Sequence, residues 1–302
     1  MKRFLWVTAI GGIVFFMLCG IVEFYQSRVD NNYSYKYWYM ENHRHKVTTL
    51  LLGDSYIENA INPGLMGEGT FTLASSSRWI YYDDKLLEKY IVDMPNLKQV
   101  ILGMGYKPPY FKSYHFPKSD SNEQENNEHE KYMYEKFMHI RYDDNSNHWL
   151  GLYRGYIDPG TLIGNNLLCD SLGYERVDGQ SVNWQSQHNV DSNVFYQEHA
   201  KEQIAEYTEY LKDMARLCYL HNVRFIVITP PCHNSYNVNV RQEGLEILHG
   251  IIENVRSVYP VEYIDYLQDE DYREDSIYYN CSHLNSIGAD MFALRVKKDF
   301  GL

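Results

Sequence analysis

Val47-Thr48-Thr49-Leu50-Leu51-Leu52-Gly53-Asp54-Ser55 is the stretch whose reading decides the fold. Val47–Leu52 is a short apolar run with β-branched residues at its start, and it reads as a buried strand that Gly53 ends. The same unit recurs on either side of helix-like segments. Thr70–Ala74 reads as a second strand and Trp79–Met94 as an amphipathic helix, followed by a third strand at Val100–Leu102 that stops at Gly103. Farther on, Ile204, Tyr207, Leu211, Met214 and Cys218 fall three or four residues apart within Glu198–His221. That spacing makes one helical face, with Asn222 as its C-cap. Arg224–Thr229 reads as a fourth strand halted by Pro230-Pro231, Gly244–Val258 as a helix, Val261–Ile264 as a fifth strand and Ser286–Asp299 as a last helix. Strands alternating with helices predict an α/β domain built on a parallel sheet.

Two regions depart from that rhythm. Residues 110–196 hold a polar stretch, Ser119–Glu130, and then aromatics without a clean period. They are too long for a loop in a compact domain and are expected to form an inserted, part-helical cap near the carboxyl ends of the strands. The other region is the start of the chain. After Lys2 and Arg3, the stretch Phe4–Val22 is uncharged and mostly apolar. At about 1.5 Å per residue it makes roughly 28 Å of helix, close to the hydrocarbon thickness of a bilayer. It is longer than the apolar part of a signal peptide, lacks a small-x-small cleavage site, and has bulky Leu18 before Cys19 where a lipidation signal wants a small residue. The expectation is a single-pass membrane anchor over residues 1–22. The positive charges stay in the cytoplasm and the remainder lies outside it, with 23–45 as a polar, tyrosine-rich stalk and 46–302 as the domain.

Composition narrows the function classes. The 302 residues are 44% hydrophobic and 15% aromatic, enough for a sizeable core. With 28 basic against 40 acidic residues the formal charge is −12, and no basic patch stands out, which argues against a nucleic-acid partner. The mean hydropathy of −0.49 belongs to a soluble domain carrying an apolar leader.

Two clusters have the residue types for nucleophilic chemistry. Gly53-Asp54-Ser55 places a serine at the carboxyl end of a strand and the start of a helix, where α/β sheets bind ligands. The serine's own N–H and the helix N-terminus face any oxyanion that develops there. Ser282-His283-Leu284-Asn285, with Gly288-Ala289, precedes the last helix, and a histidine there can return to the same sheet edge to take the serine proton. Each signal alone is weak, since a lone histidine is more often structural.

Taken together, strand–Gly-Asp-Ser near the start of the domain and His-Leu-Asn-x-x-Gly-Ala near its end resemble the SGNH (GDSL-type) hydrolase superfamily. The likeness is strongest to its membrane-anchored bacterial branch, related to surface-polysaccharide O-acyl esterases and acyltransferases. The resemblance spans roughly residues 46–302, and only the two end motifs are specific. It implies a three-layer, flavodoxin-like α/β fold, Ser55 as nucleophile, His283 as base, no cofactor, and an acylated carbohydrate or other ester as substrate. It also implies oxyanion donors from Ser55 itself, from Ser75 or Ser76 where glycine is usual, and from the block Gly103-Met104-Gly105-Tyr106, where Gly105 replaces the usual asparagine. The family's aspartate, three residues before the histidine, is Asn280 here. An asparagine oxygen can orient the ring but cannot neutralise imidazolium as a carboxylate does. Three readings stay open: a Ser55-His283-Asn280 enzyme, an enzyme whose acid is supplied by Glu274 or Asp275, and an inactive homologue that binds glycan or scaffolds a polysaccharide-modifying complex.

Other residues admit rival readings. Cys232 and Cys281 fall in loops at the same sheet edge and read either as buried thiols or as a disulfide pinning the His283 loop. With His233 and His283 they carry zinc-ligand types, though in no recognised zinc spacing. The 29 tyrosines are consistent with a sugar-facing cap around Tyr132–Trp149 or with half-buried packing positions.

Overall fold

The computed structural model describes residues 1–26, 28–110, 130–131, 133–142, 167–182 and 200–302. Five strands form one parallel sheet: β1 Thr49–Leu52, β2 Thr70–Thr72, β3 Gln99–Gly103, β4 Arg224–Thr229 and β5 Glu262–Asp265. Their order is β2-β1-β3-β4-β5, the flavodoxin-like arrangement, in which the strand order reverses between β1 and β3. The register runs Leu51↔Ile101 across β1 and β3, and Ile101↔Ile226 across β3 and β4.

Successive strand side chains point to opposite faces, and the sheet uses both. Leu50, Leu52, Val100, Leu102, Phe225 and Val227 pack into one core under α5 Ile80–Tyr90, α6 Ala200–Leu220 and α8 Gln242–Arg256, the last preceded by the one-turn α7 Asn234–Asn237. Leu51, Ile101, Ile226 and Ile228 pack into the other, against α4 Pro63–Met66 and α9 Ser286–Phe300. Three layers follow directly from this two-sided burial, as expected. The strand and helix positions read from the sequence agree with those observed to within a few residues, and Asn222 adopts the left-handed conformation of a cap at φ 56°.

The turn after β1 is where the backbone is most constrained. Gly53 has φ 126°, and a Cβ there would lie 2.7 Å from Ile57 Cγ2 and 3.0 Å from the Gly103 carbonyl oxygen. A side chain is excluded both by conformation and by the closeness of the β1 and β3 ends. Asp54 then caps the one-turn helix α3 Ser55–Glu58 by accepting from the Tyr56 N–H at 2.9 Å.

The segment expected to be a stalk differs from that expectation. Asn31 opens a capping box with Ser34, and α2 Asn32–His43 packs onto the domain. Met40 and Lys36 are fully buried, Tyr33, Tyr35, Tyr37 and Tyr39 lean on the core, and Tyr39 stacks on Phe71 at 3.8 Å. The packed part therefore begins near residue 31 rather than 46. Tyrosine hides this from a polarity reading, because its ring is buried while its hydroxyl stays hydrogen-bonded. Most of the expected cap lies outside the described residues, including Tyr132 and Trp149. Of its described part, Tyr134 and Tyr142 are core residues: Tyr134 stacks on Tyr82 at 3.8 Å, and Tyr142 packs beside Trp79 and Tyr81. The packing reading holds for those two.

At the start of the chain, α1 Lys2–Gln26 contains a 19-residue span, Arg3–Ile21, of mean hydropathy 2.3 with none of it buried. It is long and apolar enough to cross a membrane.

Gly53→Ala is expected to cost about 1–3 kcal/mol, from a strained positive φ together with the clash against Ile57. A lowered thermal unfolding midpoint checks this, whereas Gly250→Ala, where a Cβ meets nothing within 4 Å, leaves the midpoint unchanged or raised.

Candidate active site

The reversal point of the sheet brings the two sequence clusters together. Ser55 starts α3 at the end of β1. His283 stands in a short hairpin, β6 Tyr278–Asn280 with β7 His283–Leu284, just before α9. Asn285 caps α9 by accepting from the N–H groups of Ile287 and Gly288, and its amide donates to the Ser276 carbonyl at 2.7 Å and the Tyr278 carbonyl at 3.4 Å, which ties the hairpin and the turn before it to the helix. His283 Nε2 lies 2.8 Å from Ser55 Oγ, and Nδ1 lies 2.9 Å from Asn280 Oδ1.

The hydrogen positions in this chain follow from one fixed donor. The Ser282 backbone N–H can only donate, and it donates to Asn280 Oδ1 at 3.0 Å. The atom facing His283 is therefore the amide oxygen, an acceptor, so Nδ1 carries the ring proton and donates to it. Nε2 is then the unprotonated nitrogen, and the Ser55 hydroxyl donates to it. Ser282 Oγ, 3.0 Å from Nδ1, adds a second contact on that side. The ring is thus held in the tautomer that a general base requires.

Its electrostatics are those of a base without an acid behind it. Desolvation lowers the His283 pKa to about 4, and no charged group among the described residues offsets it. Asp275 does not serve: its carboxylate accepts from His233 Nε2 at 3.0 Å. Next to the serine, burial pushes the Asp54 carboxyl up to about 7, against the pull of the Tyr56 N–H and with a further push from Asp83.

Around the turn, each end of the Gly53 residue is fixed. Its N–H donates to Asp83 Oδ1 at 2.9 Å, and its carbonyl accepts from the Ser75 N–H at 3.1 Å. Asp83 is paired with Arg78 at 2.8 Å, both buried, and Arg78 also donates to the Tyr134 hydroxyl and the Leu73 carbonyl. Buried Lys36 donates to the Ala74 carbonyl and faces Glu58 at 3.5 Å. None of these buried charges carried a sequence signal, since a single Lys or Arg has no periodicity to betray it.

The expected oxyanion donors are distributed unevenly. The Ser55 N–H, the first of α3, makes no backbone hydrogen bond among the described residues. The Ser76 hydroxyl donates to Glu58 Oε2 at 2.8 Å, and the Ser75 N–H is taken by Gly53. Gly105 packs against the Tyr56 ring, where a Cβ would fall 3.0 Å from Cδ2. Cys232 and Cys281 are buried thiols rather than a disulfide. His233 is engaged with Ser235 and Asp275, and among the described residues no three His, Cys, Asp or Glu come together to hold an ion.

No protein-family model and no curated protein matches the chain. Among solved structures, one described as a "putative platelet activating factor from Streptococcus pneumonia" aligns over 94% of this chain and 98% of its own, at 10% identity and a TM-score of 0.45.

His283 is expected to titrate near 4 in the folded protein, against about 6.5 unfolded. Between those values the unfolded chain binds the extra proton, so this group withdraws stability as the pH falls from 6.5 towards 4. In Asn280→Asp a carboxylate favours the imidazolium and moves the titration up towards neutrality. Histidine ring ¹H–¹⁵N resonances of the full chain in detergent, followed against pH, measure both.

Proposed function

We propose that the chain is an SGNH-like serine esterase or O-acyltransferase acting on acyl esters. The observation that carries this reading is the Ser55–His283–Asn280 chain of hydrogen bonds at 2.8 and 2.9 Å, with the ring tautomer it enforces. His283 Nε2 takes the Ser55 proton as Oγ attacks the ester carbonyl. The Ser55 N–H would meet the oxyanion, with backbone N–H groups of Gly105 and Ser76 as the further donors that the family resemblance implies. As the tetrahedral intermediate collapses, the imidazolium returns its proton to the leaving alcohol and an acyl group stays on Ser55. Water releases it in an esterase, and the hydroxyl of an acceptor releases it in a transferase. Asn280 orients the ring throughout. The family resemblance supports an acylated surface carbohydrate as substrate, and the apolar α1 supports a membrane anchor that holds the domain outside the cytoplasm.

Full-length protein in detergent is expected to be labelled by a fluorophosphonate probe and to hydrolyse p-nitrophenyl acetate. Ser55→Ala abolishes the labelling and lowers kcat by at least about 10³-fold. Asn280→Asp raises kcat by about tenfold or more, towards the roughly 10⁴-fold that separates the two residues in serine proteases.

One observation favours a second reading, a non-catalytic glycan-binding or scaffolding module: no carboxylate among the described residues contacts His283. Absence of both labelling and hydrolysis, in protein whose Asn280→Asp variant is equally inert, selects that module.

A further inference from the structure

Among the described residues nothing anionic contacts His283, yet its imidazolium must form inside the protein wherever it acts as a base. What does face the ring is Tyr56. The two ring centroids are 5.3 Å apart with their planes tilted by 32°, within the distance at which an aromatic face attracts a cation. Tyr56 is itself held from every side. Its N–H donates to Asp54 at 2.9 Å, its hydroxyl is 3.0 Å from the buried Tyr236 hydroxyl, and its ring lies on Gly105, where a Cβ would press on it at 3.0 Å. Cys232 and Cys281 complete its surroundings. Desolvation pushes both the Cys232 thiol and the Tyr56 phenol well up, so both stay neutral through the pH range in which His283 works. Two carboxyls lie two residues from Tyr56 in the chain: Asp54 accepts from the Tyr56 N–H, and Glu58 accepts from the Ser76 hydroxyl beside Lys36.

We propose that Tyr56 is the positioning residue that takes over part of the missing carboxylate's task, its fixed aromatic face orienting His283 and favouring its protonated form in the transition state. This rests on the proposed serine chemistry. A neutral ring suits a site whose Nδ1 acceptor is an amide, because a buried carboxylate there would need further partners of its own. Packing against Gly105 holds the ring in place, and the Tyr56–Tyr236 hydroxyl pair adds to it.

The test compares Tyr56→Phe and Tyr56→Leu in full-length protein, each with Asn280 and with Asn280→Asp. Tyr56→Phe keeps the face and is expected to retain kcat within about threefold. Tyr56→Leu removes it and is expected to lower kcat by about ten- to thirtyfold with KM changed less than twofold. Asn280→Asp then restores most of that loss, because a carboxylate makes the aromatic face redundant. His283 resonances report the same effect without turnover, titrating at lower pH in Tyr56→Leu than in the parent. An equal loss in both backgrounds with an unmoved His283 titration overturns the proposal, as does a Tyr56→Leu enzyme as fast as the parent. Should Tyr56→Leu fail to fold, Tyr56→Met replaces it in the same comparison. If the parent shows no hydrolysis or labelling, the serine reading fails. The titration difference between the Tyr56 variants still decides whether the ring favours the cation.

Discussion

The whole site depends on how the chain leaves β1. Gly53 takes a conformation closed to other residues, its N–H is spent on Asp83 and its carbonyl on Ser75. One residue thereby fixes three things: where Ser55 emerges, how near β3 comes to β1, and where the loop after β2 must pass. A sheet whose strand order reverses between β1 and β3 leaves a crevice at that point, because the connections on either side leave in opposite directions. The nucleophile candidate stands in the crevice because the turn allows it no other place.

Supporting that turn are ion pairs that a stability argument alone would not require. Arg78–Asp83 and Lys36–Glu58 are buried, and such pairs contribute little net stability after desolvation, although losing one partner leaves an expensive charge behind. Their value here is geometric. Arg78 links the Gly53 turn to Leu73 and Tyr134, and Lys36 links α2 to Ala74 and Glu58. Three segments distant in sequence are made to agree on one position for residues 73–78.

The sheet was legible because strands buried on both faces read as short unbroken apolar runs, as at Leu50–Leu52 and Phe225–Ile228, and because the long helices between them keep a 3.6-residue apolar period. Ser55 and His283 were legible as a pair because the topology, once inferred, sends both to one edge. Asn280 could be located by its spacing, but its effect could not: only the Ser282 N–H shows that its oxygen, not its nitrogen, meets the imidazole. Tyr56, adjacent to the serine, was passed over because an aromatic after a nucleophile has no spacing to mark it. The helical nature of α2 was hidden by its tyrosines, and the Lys36–Glu58 pair by a separation of 22 positions between partners that carry no local pattern.

Lys36 has one more consequence. Gln26 ends the apolar helix and Asn32 begins α2, and six steps of extended chain cover only about 20 Å. With the first helix in a bilayer, α2 is on a short leash, and Lys36 fastens α2 to the same loop and helix that frame Ser55. Were the apolar helix to lie in a bilayer, the crevice could not range far from the lipid surface.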